Sequence, residues 1–308
     1  MRDHNEDVIL VRDDLQLYAV ADGAGGHNAG EVASALAVRS ASNYIGATVR
    51  HAWAQPVLDR FGVHHGARRL AAAIRKANKD VFQISHSSAE YRNMVTTMVA
   101  MLFSPRHGLV HVAHVGDSRC YRMRCDVIEQ VTTDHSLLME MLEREPDVDD
   151  AFLAKMPRNV VTRALGLEEH PRVSFRSLPA LPGDRFLVCS DGLSGMVPFD
   201  DLELALAAPT SPRETAESLI ELAIAGGGRD NVSAVVVDVI SRADSPGLDE
   251  EPPPSVVALA KIDSLPPEVE VQENDMPFDD EVLDRLQRMD DLSPEMAQAL
   301  QDLVRRKG

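Results

Sequence analysis

Four aspartates of this chain stand where short apolar runs begin or end. Asp22 follows Leu17-Tyr18-Ala19-Val20-Ala21, Asp117 follows the run closing at Val115-Gly116, Asp191 follows Phe186-Leu187-Val188-Cys189, and Asp230 precedes Val232 to Ile240. Three of the four adjoin glycine. An apolar run stopped at once by an acid and a glycine is the pattern of a buried strand closed by a turn. Strands that share one core would place these carboxylates together at its rim. Like charges gathered there repel by about 4 kcal/mol per pair at 4 Å with an effective dielectric near 20, and bound cations relieve that repulsion. Mg²⁺ and Mn²⁺ suit such a cleft, because they prefer carboxylate, carbonyl and water oxygens. A lone Asp-Gly corner is more often only a turn, so the weight lies in the recurrence.

Between these corners the period changes along the chain. Asn28 to Tyr44 and Gly66 to His86 carry apolar residues at helical spacing, and their aliphatic faces are expected in the core. From Val95 the pattern is of strands: Val95 to Phe103, Gly108 to Val115 across a Pro105 to Gly108 turn, and Ser118 to Arg124, an antiparallel meander. Val110 and Val112 share one face, alternating with His111 and Ala113. Asp134-His135-Ser136 opens a helix to about Glu145, with His135 expected as a hydrogen-bonded member of the cap. Val173 to Leu178 and Arg185 to Ser190 form a further strand pair around Pro182-Gly183. Ser211-Pro212-Arg213-Glu214 is a capping box that starts a helix ending at Gly226.

Composition narrows the function classes. The chain has 308 residues and a net charge of −18, which argues against a basic surface for nucleic acid. From Ala243 onward 17 acidic residues face 6 basic ones, so −11 of that −18 belongs to the tail and only −7 to the first 242 residues. No run approaches the roughly 18 apolar residues of a membrane span, and Met1-Arg2-Asp3 opens no secretory signal, so a cytoplasmic protein without membrane association is expected. Cys120, Cys125 and Cys189 are odd in number and unpaired by motif. The sixth residue after each is Asp126, Val131 or Gly195, never the arginine of a C-x5-R phosphatase. Gly192-Leu193-Ser194-Gly195 does not fit a serine nucleophile elbow. A dinucleotide site at Gly23-Ala24-Gly25 fails as well, since Asn28 stands at the third fingerprint position and Asp22 would repel pyrophosphate.

Seven stretches, in order over about 240 residues, resemble the metal-dependent serine/threonine phosphatases of type 2C (the PPM family), in their bacterial branch. They are Arg2 to Asp7, Ala21 to Ser34, Val115 to Arg119, Thr133 to Leu137, Asn159 to Gly166, Cys189 to Ser194 and Gly227 to Val232. The resemblance implies an α+β fold, a four-layer αββα sandwich of two antiparallel sheets flanked by helices. It implies that Asp22 bridges two Mn²⁺ or Mg²⁺ ions, that the Gly23 carbonyl binds one, and that Asp191 and Asp230 bind the other. Glu6 would act through water, Asp117 with Asp191 would hold a third ion, and Arg2 would clamp the substrate phosphate. A hydroxide bridging the ions would hydrolyse phosphoserine and phosphothreonine in proteins, a Ser/Thr kinase among them. Three departures stand out. Ala24 replaces the family's Met or His, leaving water or His27 to protonate the leaving oxygen; Val95 replaces a glycine; and the family's strand before Arg2 has no counterpart. The alternative is an impaired phosphatase-like binding module, which would predict a missing metal acid.

The expected organisation is a catalytic domain over 1–242, an acidic, Pro-rich disordered linker over 243–276 and an amphipathic helical tail over 277–308. The catalytic unit is expected to be a monomer, with the tail docking a partner protein.

Overall fold

The apolar runs resolve into two antiparallel sheets. The computed structural model describes residues 4–25, 29–52, 58, 62–87, 89–157 and 159–240, together with a strand at 256–259. The first sheet runs in the order β1 (Asp7–Arg12), β2 (Leu17–Ala24), β4 (Met98–Ser104), β5 (Leu109–Val115) and β8 (Ser174–Pro179), with the two-residue β3 (Val95–Thr96) beside the end of β2. The second runs β11 (Val256–Leu259), β10 (Ala234–Asp238), β9 (Arg185–Cys189), β6 (Arg119–Arg124) and β7 (Val127–Gln130).

Strand alternation sorts the side chains into three layers of core. Tyr18, Val20, Val110, Val112, Phe186 and Val188 point between the sheets. The opposite face of the first sheet, with Leu17, Ala19 and Ala113, packs against α1 (Ala29–Ala52) and α2 (His65–Ser87). The opposite face of the second, with Leu187, Cys189 and Val236, packs against α6 (Phe199–Ala207) and α7 (Pro212–Ala225). The result is the αββα order expected. β2 and β9 are continuous apolar runs because both of their faces are covered. Leu137, Met141, Phe152 and Met156 form a small separate cluster under α3 (Leu137–Arg144) and α4 (Asp150–Leu153).

Two strand assignments differ from the sequence reading. β8 and β9 do not pair with each other: β8 lies beside β5, and β9 lies between β6 and β10. β9 is buried along most of its length whereas β8 is largely exposed, so β9 takes a central place and β8 an edge. The meander also breaks after β5. Gly116, at φ +107°, turns the chain out of the first sheet, and β6 enters the second. The capping box formed as written: the Ser211 hydroxyl accepts from Glu214 N at 3.3 Å, and Ser211 N donates to Glu214 Oε2 at 2.9 Å. Within the expected linker, Val256–Leu259 is an exception, pairing with β10 at the sheet edge. The expected tail over 277–308 lies outside the described residues. Among those described, no helix is long and apolar enough to cross a membrane.

Candidate metal centre

The β1–β2 hairpin brings the first two acids face to face, since its register sets Asp7 opposite Asp22. Like charges directly across an antiparallel pair are destabilising unless something else meets them. The second sheet closes over this pair. Ser190, the last residue before Asp191, donates its hydroxyl to Asp7 Oδ2 at 2.8 Å and accepts from Ser233 N at 3.1 Å. Asn231 Oδ1 accepts from Glu6 N at 2.9 Å, and Asn231 N donates to Asp230 Oδ1 at 2.8 Å. The Asp230 loop is thereby fastened to the residue preceding Asp7. Asp191 begins the short α5 (Asp191–Ser194), and Gly192 is packed so closely on the Asn231 carbonyl that a Cβ there would overlap it. Four carboxylates from two sheets thus converge at one end of the sandwich.

The backbone beneath them is held on every side. Thr97 N donates to Asp22 O at 2.8 Å, and Asp22 N donates to Thr97 Oγ1 at 3.1 Å. That exchange is why the ladder breaks between β3 and β4. Gly23 N donates to Glu6 O at 3.1 Å, and Ser34 donates its hydroxyl to the same carbonyl at 2.6 Å. At Gly23 a Cβ would run into Gly30 O, and at Gly30 it would run into the Glu6 carboxylate. These are the close approaches that the glycines after Asp22 allow.

The electrostatics set these carboxylates apart. Burial is the main force pushing the Asp7 carboxyl up to about 7, opposed by the side-chain hydroxyls of Ser190 and Ser233 and reinforced by Asp191 and Asp230. Asp22 is driven well above the usual carboxylate range by burial first, then by Asp7, Asp191 and Asp230. Asp117 is pushed up to about 7 by burial, then by Asp191 and Asp134. Among the described residues, no cation is one of the groups that most perturb Asp7 or Asp22. Asp7 Oδ1 and Asp191 Oδ1 are buried and have no hydrogen-bond partner among the described residues. Among the described residues no three acids are already drawn into a ready coordination shell, yet orphaned carboxylate oxygens in an acidic cleft fit a hard divalent cation.

Asp22, Asp191 and Asp230 therefore come together, with Gly23 beside them and Asp117 within electrostatic reach of Asp191. Glu6 is buried against the start of α1. Arg2 and His27 lie outside the described residues. Ala24 is exposed and offers no side-chain proton donor. The sequence reading gave Asp7 no role. Its signal was available in hindsight, as an acid at the foot of a strand whose hairpin partner ends in Asp22.

Known proteins share this sequence pattern and fold. The family model described as protein phosphatase 2C matches residues 3–222. The chain belongs to that family. Among its relatives is the serine/threonine phosphatase stp of Listeria monocytogenes, 35% identical over 242 residues, covering 77% of this chain and 91% of the relative. The serine/threonine protein phosphatase PstP of Mycobacterium tuberculosis is 36% identical over 242 residues, covering 78% of this chain and 43% of PstP. A solved structure of the PstP catalytic domain in complex with two manganese ions superposes with a TM-score of 0.63 at 35% identity, covering 78% of this chain and 94% of that one. Protein phosphatase 2C relatives thus share both the sandwich and, in PstP, a metal pair.

Proposed function

We propose that the chain is a metal-dependent protein serine/threonine phosphatase whose Mn²⁺ or Mg²⁺ ions are held by Asp22, the Gly23 carbonyl, Asp191 and Asp230. Glu6 and Asp7 would hold ordered water around them, and Asp117 with Asp191 would hold a third ion. The observation that carries this reading is the set of buried, mutually repelling carboxylates with two unpartnered oxygens at the rim of both sheets. When bound, the ions supply water acidified toward neutral pH and electrostatic support for the phosphoryl oxygens.

The protein's own part is orientation. Thr97 pins the Asp22 main chain, Asn231 and Ser34 pin that of Glu6, and Ser190 fixes one oxygen of Asp7, leaving the other for the cleft. Arg2 would clamp the substrate phosphate through its guanidinium fork. With alanine at position 24, the leaving serine or threonine oxygen would take its proton from water or from His27. The same reading makes phosphoproteins the substrates, a Ser/Thr kinase among them. It has the catalytic unit acting as a monomer in the cytoplasm, with the tail recruiting a partner.

Hydrolysis of a phosphothreonine peptide is the test. Activity is expected to need added Mn²⁺ or Mg²⁺, to vanish in EDTA, to return on re-addition of metal, and to be lost in Asp22→Asn. Turnover that persists in EDTA or in that variant would overturn the mechanism.

A further inference from the structure

The Gly116-Asp117 corner is gripped by one side chain that the proposed chemistry does not use. His135 donates its backbone N–H to Gly116 O at 3.0 Å, and its ring Nδ1 lies 3.1 Å from Gly116 N. A backbone N–H can only donate, so Nδ1 is the acceptor and the ring proton sits on Nε2, which donates to Ser174 Oγ at 2.8 Å. The ring is buried and stacks on His114 at a centroid separation of 4.5 Å and 14° between planes. His114 is anchored in turn by Nε2 donating to Thr133 O at 2.7 Å.

The corner so held is conformationally demanding. Gly116 has φ +107°, and a Cβ there would lie 2.6 Å from the Thr97 side chain. The Thr97 hydroxyl is 2.7 Å from the Ser118 hydroxyl and accepts from Asp22 N, so Gly116 and Ser118, on either side of Asp117, both pack on the residue that fixes Asp22. On its other side His135 carries the segment that follows. Its carbonyl accepts from Thr162 N at 2.9 Å, and Thr162 donates its hydroxyl to Glu140 Oε1 at 2.8 Å.

We infer that His135 is a positioning residue for Asp117: its neutral ring, polarised by Ser174, holds the Gly116 amide so that the Asp117 carboxylate is set for the weaker third ion, and it ties that ion's site to the α3–α4 segment. The inference rests on the reading of Asp117 as a ligand. It assigns to the Asp134-His135-Ser136 stretch a task beyond capping α3, whose N-cap hydroxyl is Ser136.

The test is calorimetric titration of the full chain with Mn²⁺ alone, for the wild type, His135→Ala, His135→Asn, Asp117→Asn and the double variant His135→Ala/Asp117→Asn, with folding followed by circular dichroism. Losing an outer partner of a metal site typically costs about 10–100-fold in affinity. His135→Ala is therefore expected to weaken the weakest Mn²⁺ site at least tenfold while sparing the tighter pair. His135→Asn, whose Oδ1 can accept from Gly116 N in place of Nδ1, should recover most of that loss. In Asp117→Asn the weak site should disappear, and adding His135→Ala should change nothing more. Should His135→Ala fail to fold, Ser174→Ala leaves the ring in place and should still weaken the same site. Equal weakening of all sites, an unchanged weak site, or no recovery in His135→Asn would each overturn the inference. If Asp117→Asn retains the wild-type number of bound ions, the reading of Asp117 itself fails, and the inference with it.

Discussion

The two ends of the sandwich treat buried carboxylates in opposite ways. At the β10–β9–β6 end away from Asp191, Asp184 is only 1% exposed yet takes two bonds from Arg124, at 2.5 and 2.6 Å, and one from Leu181 N at 2.8 Å. Next to it Asp238 receives both arms of Arg185, at 2.6 and 2.8 Å. One strand length away, about 17 Å for five residues, Asp7, Asp22, Asp191 and Asp230 face one another instead. A cleft of about 390 Å³ opens at the first end, beside Asp184 and Asp238. Its buried acids are already paired, so volume there comes without unmet charge. At the acidic rim burial and mutual repulsion raise the Asp7 and Asp22 carboxyls instead. A buried carboxylate held by a guanidinium, as Asp184 is by Arg124, serves stability; carboxylates that push one another's pKa upward are candidates for chemistry.

That contrast can be broken by mutation. The largest effect is expected at the rim: Asp230→Asn should cut metal-dependent phosphopeptide turnover by about 10²–10³-fold, while Asp184→Asn should leave turnover within about twofold, because it touches only stability. A far-end variant that lost activity as severely would end the distinction. The next effect is on folding. Asp184→Ala takes the shared acceptor from Arg124 and from Leu181 N and should cost about 1–3 kcal/mol in urea unfolding.

The opposite sign is expected at the rim. Asp7 has a folded-state pKa raised above its unfolded value of 3.8 to about 7, so between those values the folded state binds more protons than the unfolded one. Stability of the metal-free protein should therefore fall as pH rises from about 4 through about 7. Asp7→Asn should flatten that fall and raise metal-free stability at pH 8 by roughly 2 kcal/mol. Thermal unfolding in EDTA across pH checks both, and a variant less stable than wild type at pH 8 would contradict the repulsion. The smallest effect lies beside the Arg185–Asp238 end, where Ser211→Ala removes the α7 cap and should cost about 1 kcal/mol without altering turnover.

Much of this was legible in the residues. Asp22, Asp117, Asp191 and Asp230 announced themselves because each sits where an apolar run meets a turn, and the α7 capping box because its spacing is local. What depended on distant partners was not. Asp7 gains its meaning only from the register that sets it against Asp22. β9 looked like the hairpin partner of β8 until its two covered faces required neighbours on both sides. β7 escaped notice because it is short and Val127 is 64% exposed, and α6 because Leu204, at 70% exposure, interrupts its buried Leu202 and Leu206. His135 was expected as part of a cap; the bond from Gly116 across 19 residues makes it more than that.

The bond from Ser190 to Asp7 joins one sheet to the other at the acidic rim. Cations seated beside it would act as rivets as well as reagents, clamping β1 and β2 to the end of β9. Chelation should then do more than stop turnover: amide hydrogens around Glu6, Asp22 and Ser190 should exchange faster with solvent, while those around Arg185 and Asp238 stay protected. Metal supply would in this way set the mechanical cohesion of one half of the molecule.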